Sequence, residues 1–321
     1  MTGSDDREEL EAWIDRYLDA AIANEPGRLP VTDDVRFTEN GQRLRIGEGL
    51  WRSLCGVGSY RLVVTDVPAG VVTMIGTVRE HSDEHEDGLP TTIALRLAIE
   101  NDRVDEIEQM VLRRDAETAE AIEELGKPRE AFYTSVPQPM TRGELITTAN
   151  TYFSALQRRG PYVTCPVTED CHRIENGEPT TNVPVPEGET APDPEEATTY
   201  SYHWTTRQQL ASGLTKFVTR IRDRRFVSVD RERGLVFAFG FFDHAAGETR
   251  TFETADGRTV TTGPEQPWTW YIAEIFKVED GKLSEIEAIM REVPYGMTSG
   301  WSNRVEGMSD EPRNVTGVPE S

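Results

Sequence analysis

The chain has 321 residues, and its 57 acidic against 34 basic side chains give a formal net charge of -23. Such a charge argues against a nucleic-acid backbone or an anionic membrane as partner, because both would repel the surface. No apolar run approaches the roughly 20 residues of a membrane span, and the acidic N-terminus is unlike a signal peptide, so we expect a cytoplasmic protein.

One stretch of the chain occurs twice. Residues 30–41 (PVTDDVRFTENG) and 166–177 (PVTEDCHRIENG) share seven of twelve residues. Further matches follow in the same order downstream, which indicates one domain duplicated in tandem. The sequence therefore predicts a first domain at 1–114, a helix and linker at 115–140, a second domain at 141–301 and a flexible tail at 302–321.

The first copy reads as a long helix followed by strands. Apolar residues at helical spacing predict an amphipathic helix over 7–23. A short strand then runs into the Asn-Gly turn at 40–41, and a second helix is expected near 47–56. Strand patterns follow, which indicates an α+β domain with helices on one face of a curved antiparallel sheet. The four predicted strands are 60–67, 71–80, 91–99 and 104–113.

The second copy begins with a predicted helix over 142–158 and carries two insertions, 178–201 and 245–267. Loops of this length in compact domains are lids, binding loops or disordered segments. Its strand 236–244 is apolar on both faces and must be covered on both. Helices cover one face. We expect the other to pack against the matching sheet of copy one, forming an internal pseudo-dimer, where the equivalent positions are Val72, Met74, Gly76 and Val78.

A helix pair followed by a bent sheet, with the T-x-D…E-N-G segment after the first helix, resembles the nuclear-transport-factor-two-like superfamily, also called SnoaL-like. The closing run 273–301 is similar to that of two-copy members. The resemblance implies two cone-shaped barrels, each with a pocket between sheet and helices. Its enzymes include polyketide cyclases, ketosteroid isomerases, scytalone dehydratase and dehydrohalogenase, which mostly move protons with an acidic residue or a His/Asp pair and no cofactor. Other members only bind, so the fold alone does not settle function.

Glu274 is the first catalytic candidate. It stands on an apolar strand face where copy one has Leu95, so a carboxylate replaces an apolar residue. Desolvation there would raise its pKa toward that of a useful general acid or base. The structural alternative is an ion pair with Arg224, Arg225 or Arg291.

Asp243 and His244 form the second candidate pair, at the end of a buried strand and absent from copy one. Neighbours on a strand point to opposite faces, so at most one of them can enter a pocket. Asp170 is a lower candidate, because its counterpart Asp34 is present in copy one. Retention in both copies indicates a shared structural task, with Asp capping a turn and Asn-Gly supplying positive φ.

Further side chains of the second copy are candidates for lining a pocket for a small apolar or aromatic molecule, although core packing is the alternative for each of them. His203 lies on the inserted loop, where it is placed to close a pocket mouth or simply to pack. The candidate lining residues are Tyr152, His203, Trp204, Arg224, Trp270, Tyr271, Tyr295 and Trp301.

Metal and cofactor sites are not expected. The cysteines, Cys55, Cys165 and Cys171, form an odd set without a CxxC motif and read as small apolar residues. His81 and His85 are four residues apart, but in an acidic loop rather than on a helix. Glycine-rich phosphate loops are absent.

These observations predict a cofactor-independent lyase, isomerase or dehydratase in copy two, with copy one as a scaffold. Glu274 would be the base, Asp243 or His244 the partner acid, and Tyr271 or Arg224 the group that stabilises negative charge. The alternative is a non-catalytic small-molecule-binding or assembly module. The oligomeric state stays open, and a homo-oligomer of pseudo-dimers is compatible with the sequence.

Overall fold

The computed structural model describes residues 3–113, 115–159 and 163–321. Copy one places helix α1 (Gly3–Ile22) against a six-stranded sheet of order β2-β1-β6-β5-β4-β3. Strand β1 runs parallel to β6, and the other neighbours are antiparallel. The strands are β1 (Val31–Glu39), β2 (Gln42–Leu44), β3 (Leu54–Asp66), β4 (Val71–Glu80), β5 (Leu89–Glu100) and β6 (Arg103–Leu112).

Helix α2 (Ala116–Glu124) connects the copies, and α3 (Arg142–Leu156) opens the second one, with Thr141 and Glu144 forming a capping box at its start. The second sheet has the order β15-β9-β10-β13-β14-β7-β8, which repeats the first sheet and adds β15 at one edge. The remaining elements are β7 (Val167–Glu175), β8 (Glu178–Pro179), α4 (Thr206–Ser212), β9 (Arg220–Asp230), β10 (Leu235–His244), the hairpin β11 (Thr251–Glu253) and β12 (Thr259–Thr261), β13 (Trp268–Glu279), β14 (Lys282–Val293), α5 (Arg304–Gly307) and β15 (Arg313–Asn314).

The predicted α+β class and the tandem duplication are confirmed by these two sheets. Neither sheet closes on itself, so the structure does not show closed barrels. None of the helices in the three described ranges is long and apolar enough to cross a membrane.

The prediction of a second helix near 47–56 is wrong. Only a 3₁₀ turn forms there, Gly49–Arg52, and β3 already begins at Leu54, which pairs with Glu80. Glycines at 56 and 58 have low helix propensity and are better tolerated in the irregular start of this strand, where the pairing register shifts. In copy two a short helix, α4, ends just before Gly213, the residue aligned with Gly49.

The two sheets pack face to face, as the strand pattern predicts. Phe237, Phe239 and Phe241 of β10 share one buried cluster with Leu62 and Ile75 of copy one. The prediction of which strand face forms this contact was wrong. The residues expected there, Val72, Met74 and Val78, instead lie in the core of copy one, beneath α1. Both faces of these strands are apolar, so the side-chain pattern could not distinguish them.

Buried ion pairs also join the copies. Arg225 donates two hydrogen bonds to Glu108, at 2.8 and 2.7 Å. Arg142 binds Asp66 in the same bidentate way, at 2.6 and 2.7 Å. These four side chains are almost fully buried. Because each guanidinium fork matches its carboxylate, the pairs also fix how the sheets are oriented.

The repeated E-N-G stretch is scaffold in both copies. Asn176 adopts φ 51° and exchanges side-chain hydrogen bonds with the backbone of Met290, at 3.1 and 2.8 Å. Asn40 does the same, with φ 49° and bonds to the backbone of Val111. Each Asn therefore ties the end of the first strand of its copy to the last long strand.

The segment predicted as a flexible tail, 302–321, contains α5 and β15, and β15 pairs in parallel with β9. Asp223 organises it from a bulge in β9, where its φ is 49°. Its buried carboxylate accepts hydrogen bonds from Ser299 at 2.7 Å and from Arg313 at 2.6 Å.

Candidate functional site

Glu274 lies on the inner face of β13, within the core between the second sheet and α3. The side chain is 0% exposed, and neither carboxyl oxygen has a hydrogen-bond partner among the described residues. Across the ladder it faces Ala238 on one side and Ala288 on the other, so only small side chains flank it. Burial raises its pKa well above the ordinary value, and the charge of Glu175 adds to the effect. Burial therefore favours the neutral form of the Glu274 carboxyl.

A buried arginine, Arg173, organises the polar groups near Glu274. It donates hydrogen bonds to the hydroxyls of Thr180 at 2.9 Å and Tyr152 at 3.2 Å and to the side chain of Gln209. Its Nε also lies 3.4 Å from a carboxylate oxygen of Glu175. Tyr152 is 1% exposed, and burial raises its pKa well above the ordinary value, so its hydroxyl keeps its proton.

The same region of copy one is filled by a completed hydrogen-bond chain. Trp51 donates to the hydroxyl of Tyr17 at 2.9 Å, and Tyr17 donates to Gln109 at 2.6 Å. Gln109 then donates to Glu39 at 2.7 Å. Glu39 also binds Arg113, so every member of the chain has a partner.

The two copies differ by an exchange across one ladder. In copy one Leu95 is paired with Gln109, whereas in copy two the equivalent pair is Glu274 and Ala288. The polar residue of the pair is Gln109 on β6 in copy one but Glu274 on β13 in copy two, and Glu274 has no hydrogen-bond partner in the described residues. A buried polar group without a hydrogen bond is costly, and natural cores contain few of them. A carboxyl without a hydrogen-bond partner in the described residues is thus one feature that copy two has at this position and copy one lacks.

The predicted structural alternative for Glu274, an ion pair, is not found with any of the three arginines considered. Arg225 is bound to Glu108, and Arg291 donates to the carbonyl of Val111 at 2.7 Å. Arg224 is buried under α3, where it donates to Asn150 and Ser154, both at 2.9 Å.

His244 lies far from Glu274 along the same sheet face. Its strand partner is Trp268, six residues before Glu274, which corresponds to ~20 Å at the rise of a β-strand. The imidazole is 0% exposed and stacks on Trp268 with ring centroids 4.1 Å apart. Neither nitrogen makes a hydrogen bond of normal geometry within the described residues, and burial lowers its pKa to about 4. Trp270 completes this aromatic cluster, with its ring 4.9 Å from that of His244.

Asp243 points to the opposite face and is held by an ion-pair network. Arg220, Arg222 and Thr269 all donate to its carboxylate, at distances from 2.6 to 3.1 Å. Tyr271 also faces the contact between the sheets, where its hydroxyl donates to Glu108 at 2.9 Å. Neither side chain reaches the interior that contains Glu274.

The inserted loop 178–201 is tied to the second domain. Trp204 is 2% exposed and donates to the carbonyl of Pro192 at 2.6 Å. His203 is half-buried, with Nδ1 2.9 Å from the carbonyl of Val183. Gln209 donates to the carbonyls of Thr180 and Ser201 at the two ends of the loop. The loop thus folds back beside Arg173 rather than extending from the domain.

The other predicted residues lie away from Glu274. Asp170 is exposed on β7, as is its counterpart Asp34 on β1. Tyr295 is 47% exposed. Trp301 crosses to copy one, where its indole donates to Thr38 at 2.8 Å and the guanidinium of Arg36 stacks 4.1 Å from its ring.

Sequence reasoning missed Arg173. The signal was available, because Arg173 replaces Phe37 of copy one in the aligned E-N-G stretch. This is the same kind of exchange, polar for apolar, that identified Glu274. The three cysteines are unpaired, and no cluster of metal ligands is found in the described part of the chain.

The family described as domain of unknown function DUF8021 matches residues 3–111 and 138–290. These two regions cover most of both copies, so the chain belongs to this family, and the tandem duplication is confirmed independently. A comparison with curated proteins found no significant match.

Proposed function

For this member of the DUF8021 family, we propose that the second copy binds a small apolar or aromatic molecule and that Glu274 transfers protons to and from it without a cofactor. The observation that carries the proposal is the buried carboxyl of Glu274, whose two oxygens have no hydrogen-bond partner in the described residues. A bound molecule with a carbonyl or hydroxyl oxygen would supply the missing partner. We further propose that the space between sheet and α3 forms the conical pocket of the SnoaL-like superfamily.

The raised pKa changes the role expected of Glu274 from base to acid. An apolar site can keep a carboxylic acid neutral at pH 7, so that it donates a hydrogen bond or a proton. Tyr152 is the second donor, because its hydroxyl accepts a hydrogen bond from Arg173 and retains its own proton. Two such donors polarise a carbonyl and stabilise the enolate that forms from it.

Elimination of water from a β-hydroxy carbonyl compound is the simplest reaction that these groups can complete. In one concerted step, one oxygen of Glu274 donates its proton to the departing hydroxyl while the other oxygen takes a proton from the carbon beside the carbonyl. The electrons of that C–H bond form the C=C bond, the C–O bond breaks, and water leaves. Glu274 ends protonated, as it began, so no second titrating residue is required.

The aromatic cluster of His244, Trp268 and Trp270 lies at one end of the sheet face that carries Glu274. These rings lie on the same sheet face as Glu274, and both indoles are only half-buried. With its pKa lowered to about 4, His244 is neutral and contributes a stacking surface rather than charge. Because His244 lies ~20 Å from Glu274 along the sheet, we assign it neither to proton transfer nor to contact with a small molecule bound at that carboxyl.

The test uses proton exchange, which needs no knowledge of the natural substrate. 1-Tetralone, an aromatic ketone, is incubated in D₂O with protein, and deuterium uptake beside its carbonyl is followed by NMR. The wild type should accelerate exchange, and Glu274→Gln should lower the rate by about 100-fold or more, the usual scale of acid–base catalysis. Glu287→Gln is the matched control, since Glu287 is also buried but faces the contact between the sheets. Equal exchange rates for Glu274→Gln and wild type would refute the proposal.

Non-catalytic binding is the second candidate, and the separation of His244 and Asp243 from Glu274 favours it. Saturable binding of 1-tetralone, weakened in Glu274→Gln but without exchange in the wild type, would support binding over catalysis.

A further inference from the structure

A basic cleft lies at the end of the second sheet that is remote from Glu274. Its volume is about 660 Å³. It lies between the residues that follow α3, the start of β9 and the end of β10. Tyr295, which follows β14, also lines it. The lining residues are Arg158, Arg159, Thr219, Arg220, Ala245, Glu248, Thr249 and Tyr295.

Arg158 is held in place by backbone carbonyls. It donates to the carbonyl of Thr249 and, at 3.1 Å, to that of Thr251. Neither partner carries charge, and no ion pair of Arg158 is found within the described ranges. Its guanidinium is thus fixed, half-buried and not neutralised. Arg159 beside it is exposed and has no hydrogen bond or ion pair in the same part of the structure.

The third arginine of the cleft, Arg220, shares its carboxylate partner with another arginine. Asp243 accepts from both Arg220 and Arg222, so one negative charge serves two guanidinium groups. One terminal nitrogen of Arg222 is buried without a hydrogen-bond partner in the described chain. Among the described residues that line the cleft, Glu248 is the only acidic one. Four guanidinium groups are therefore balanced by two carboxylates.

We propose that this cleft binds a small organic anion through a carboxylate or phosphate group. Guanidinium groups bind both in a bidentate manner, and a fixed arginine loses little side-chain entropy in doing so. The volume lies in the range of small-molecule sites. A local excess of positive charge is unexpected on a chain of net charge -23, whose overall field disfavours nucleic acids and other polyanions. The exposed residue Tyr295 also lines the cleft, and its hydroxyl is a further hydrogen-bond donor.

This site is separate from the one proposed at Glu274. Ala245, at the cleft, is seven residues beyond Ala238, the strand partner of Glu274, which corresponds to ~23 Å along β10. Neither Glu274 nor Tyr152 lines the cleft. The two proposals can therefore fail independently.

Isothermal titration calorimetry with citrate and with inorganic phosphate tests the proposal and distinguishes the two oxyanions, with sodium chloride of equal ionic strength as reference. At least one oxyanion should give saturable binding. Arg159→Gln should weaken it about tenfold, the usual effect of losing a hydrogen bond to a charged group. Arg43→Gln is the matched control, because Arg43 is an exposed arginine of copy one and its removal changes the net charge equally. Glu248→Gln should tighten binding about threefold, since it removes the opposing charge.

Two results would overturn the proposal. One is the absence of saturable heat with both citrate and phosphate. The other is equal weakening in Arg159→Gln and Arg43→Gln, which would mean that the anions respond only to total charge. Glu274→Gln should leave anion binding unchanged, and this separates a failure here from a failure of the function proposed for the second-domain interior.

Discussion

The contact between the sheets contains a buried acid whose ionisation should control stability near neutral pH. Glu287 is 3% exposed on β14, and the hydroxyl of Tyr60 in copy one donates to its carboxyl at 2.7 and 2.8 Å. Burial raises its pKa from 4.5 to about 7, and the nearby Glu285 adds to the increase. The charge of Glu287 also raises the pKa of Tyr133, whereas Arg129 is paired with Glu285.

The sign of the pH effect follows from linkage. Between pH 4.5 and about 7 the folded state keeps a proton on Glu287 that the unfolded state has released. The stabilisation due to this protonation is complete below pH 4.5 and is lost as pH rises to about 7. A shift of this size corresponds to ~3 kcal/mol at 1.36 kcal/mol per pKa unit.

Glu287→Gln removes the titration while keeping a similar shape. We expect the free energy of unfolding of this variant, relative to wild type, to increase by ~3 kcal/mol between pH 4.5 and pH 8. Urea denaturation at several pH values, followed by tryptophan fluorescence, measures this difference. Tyr60→Phe should move the transition to higher pH, because the Tyr60 hydroxyl stabilises the carboxylate. Parallel pH profiles of wild type and Glu287→Gln would refute the reasoning.

Three further predictions concern stability and can be checked by chemical denaturation. Glu108→Gln should cost ~3–5 kcal/mol, because Arg225 would keep a buried charge without its partner; a loss below 1 kcal/mol would show that the pair is dispensable. Asn176→Ala should cost ~2 kcal/mol, since two hydrogen bonds to the backbone are lost at a positive φ, and an unchanged midpoint would contradict the scaffold role. Glu274→Leu, which restores the residue of copy one, should raise stability by ~1–3 kcal/mol while abolishing proton exchange. A destabilised Glu274→Leu would instead indicate that the carboxyl is a structural partner.

Much of the fold was predictable because the sequence carries it twice. Alignment of the copies correctly identified Leu95 as the position equivalent to Glu274, since the strands that carry them keep the same register in their sheets. The positive φ predicted for the Asn-Gly pairs was confirmed on the same basis, whereas Asp34 and Asp170, predicted to cap a turn, lie exposed on strands. The helix predicted near 47–56 was wrong, because the pairing of Leu54 with Glu80 extends β3 into that stretch and the local pattern does not reveal this pairing.

The candidate site was predictable only in part. Comparison of the copies identified Glu274 and could have identified Arg173, because each replaces an apolar residue of copy one. The comparison of the copies could not show which of the remaining candidate residues lie near Glu274. Asp243 and Tyr271 face the other sheet, and Trp301 contacts copy one, because these positions depend on which sheet face turns toward the partner copy.

By itself the sequence determined the duplication, the α+β class and the two-sided burial of the central strands, since periodicity and repetition are properties of the chain. The tertiary structure decided which apolar face meets the partner sheet and which charges neutralise one another across that contact. It also decided that Glu274 has no hydrogen-bond partner within the described ranges. These outcomes depend on residues far apart in the chain, such as Arg225 with Glu108 and Arg142 with Asp66. No local pattern encodes such pairings, because they form only when the two sheets meet.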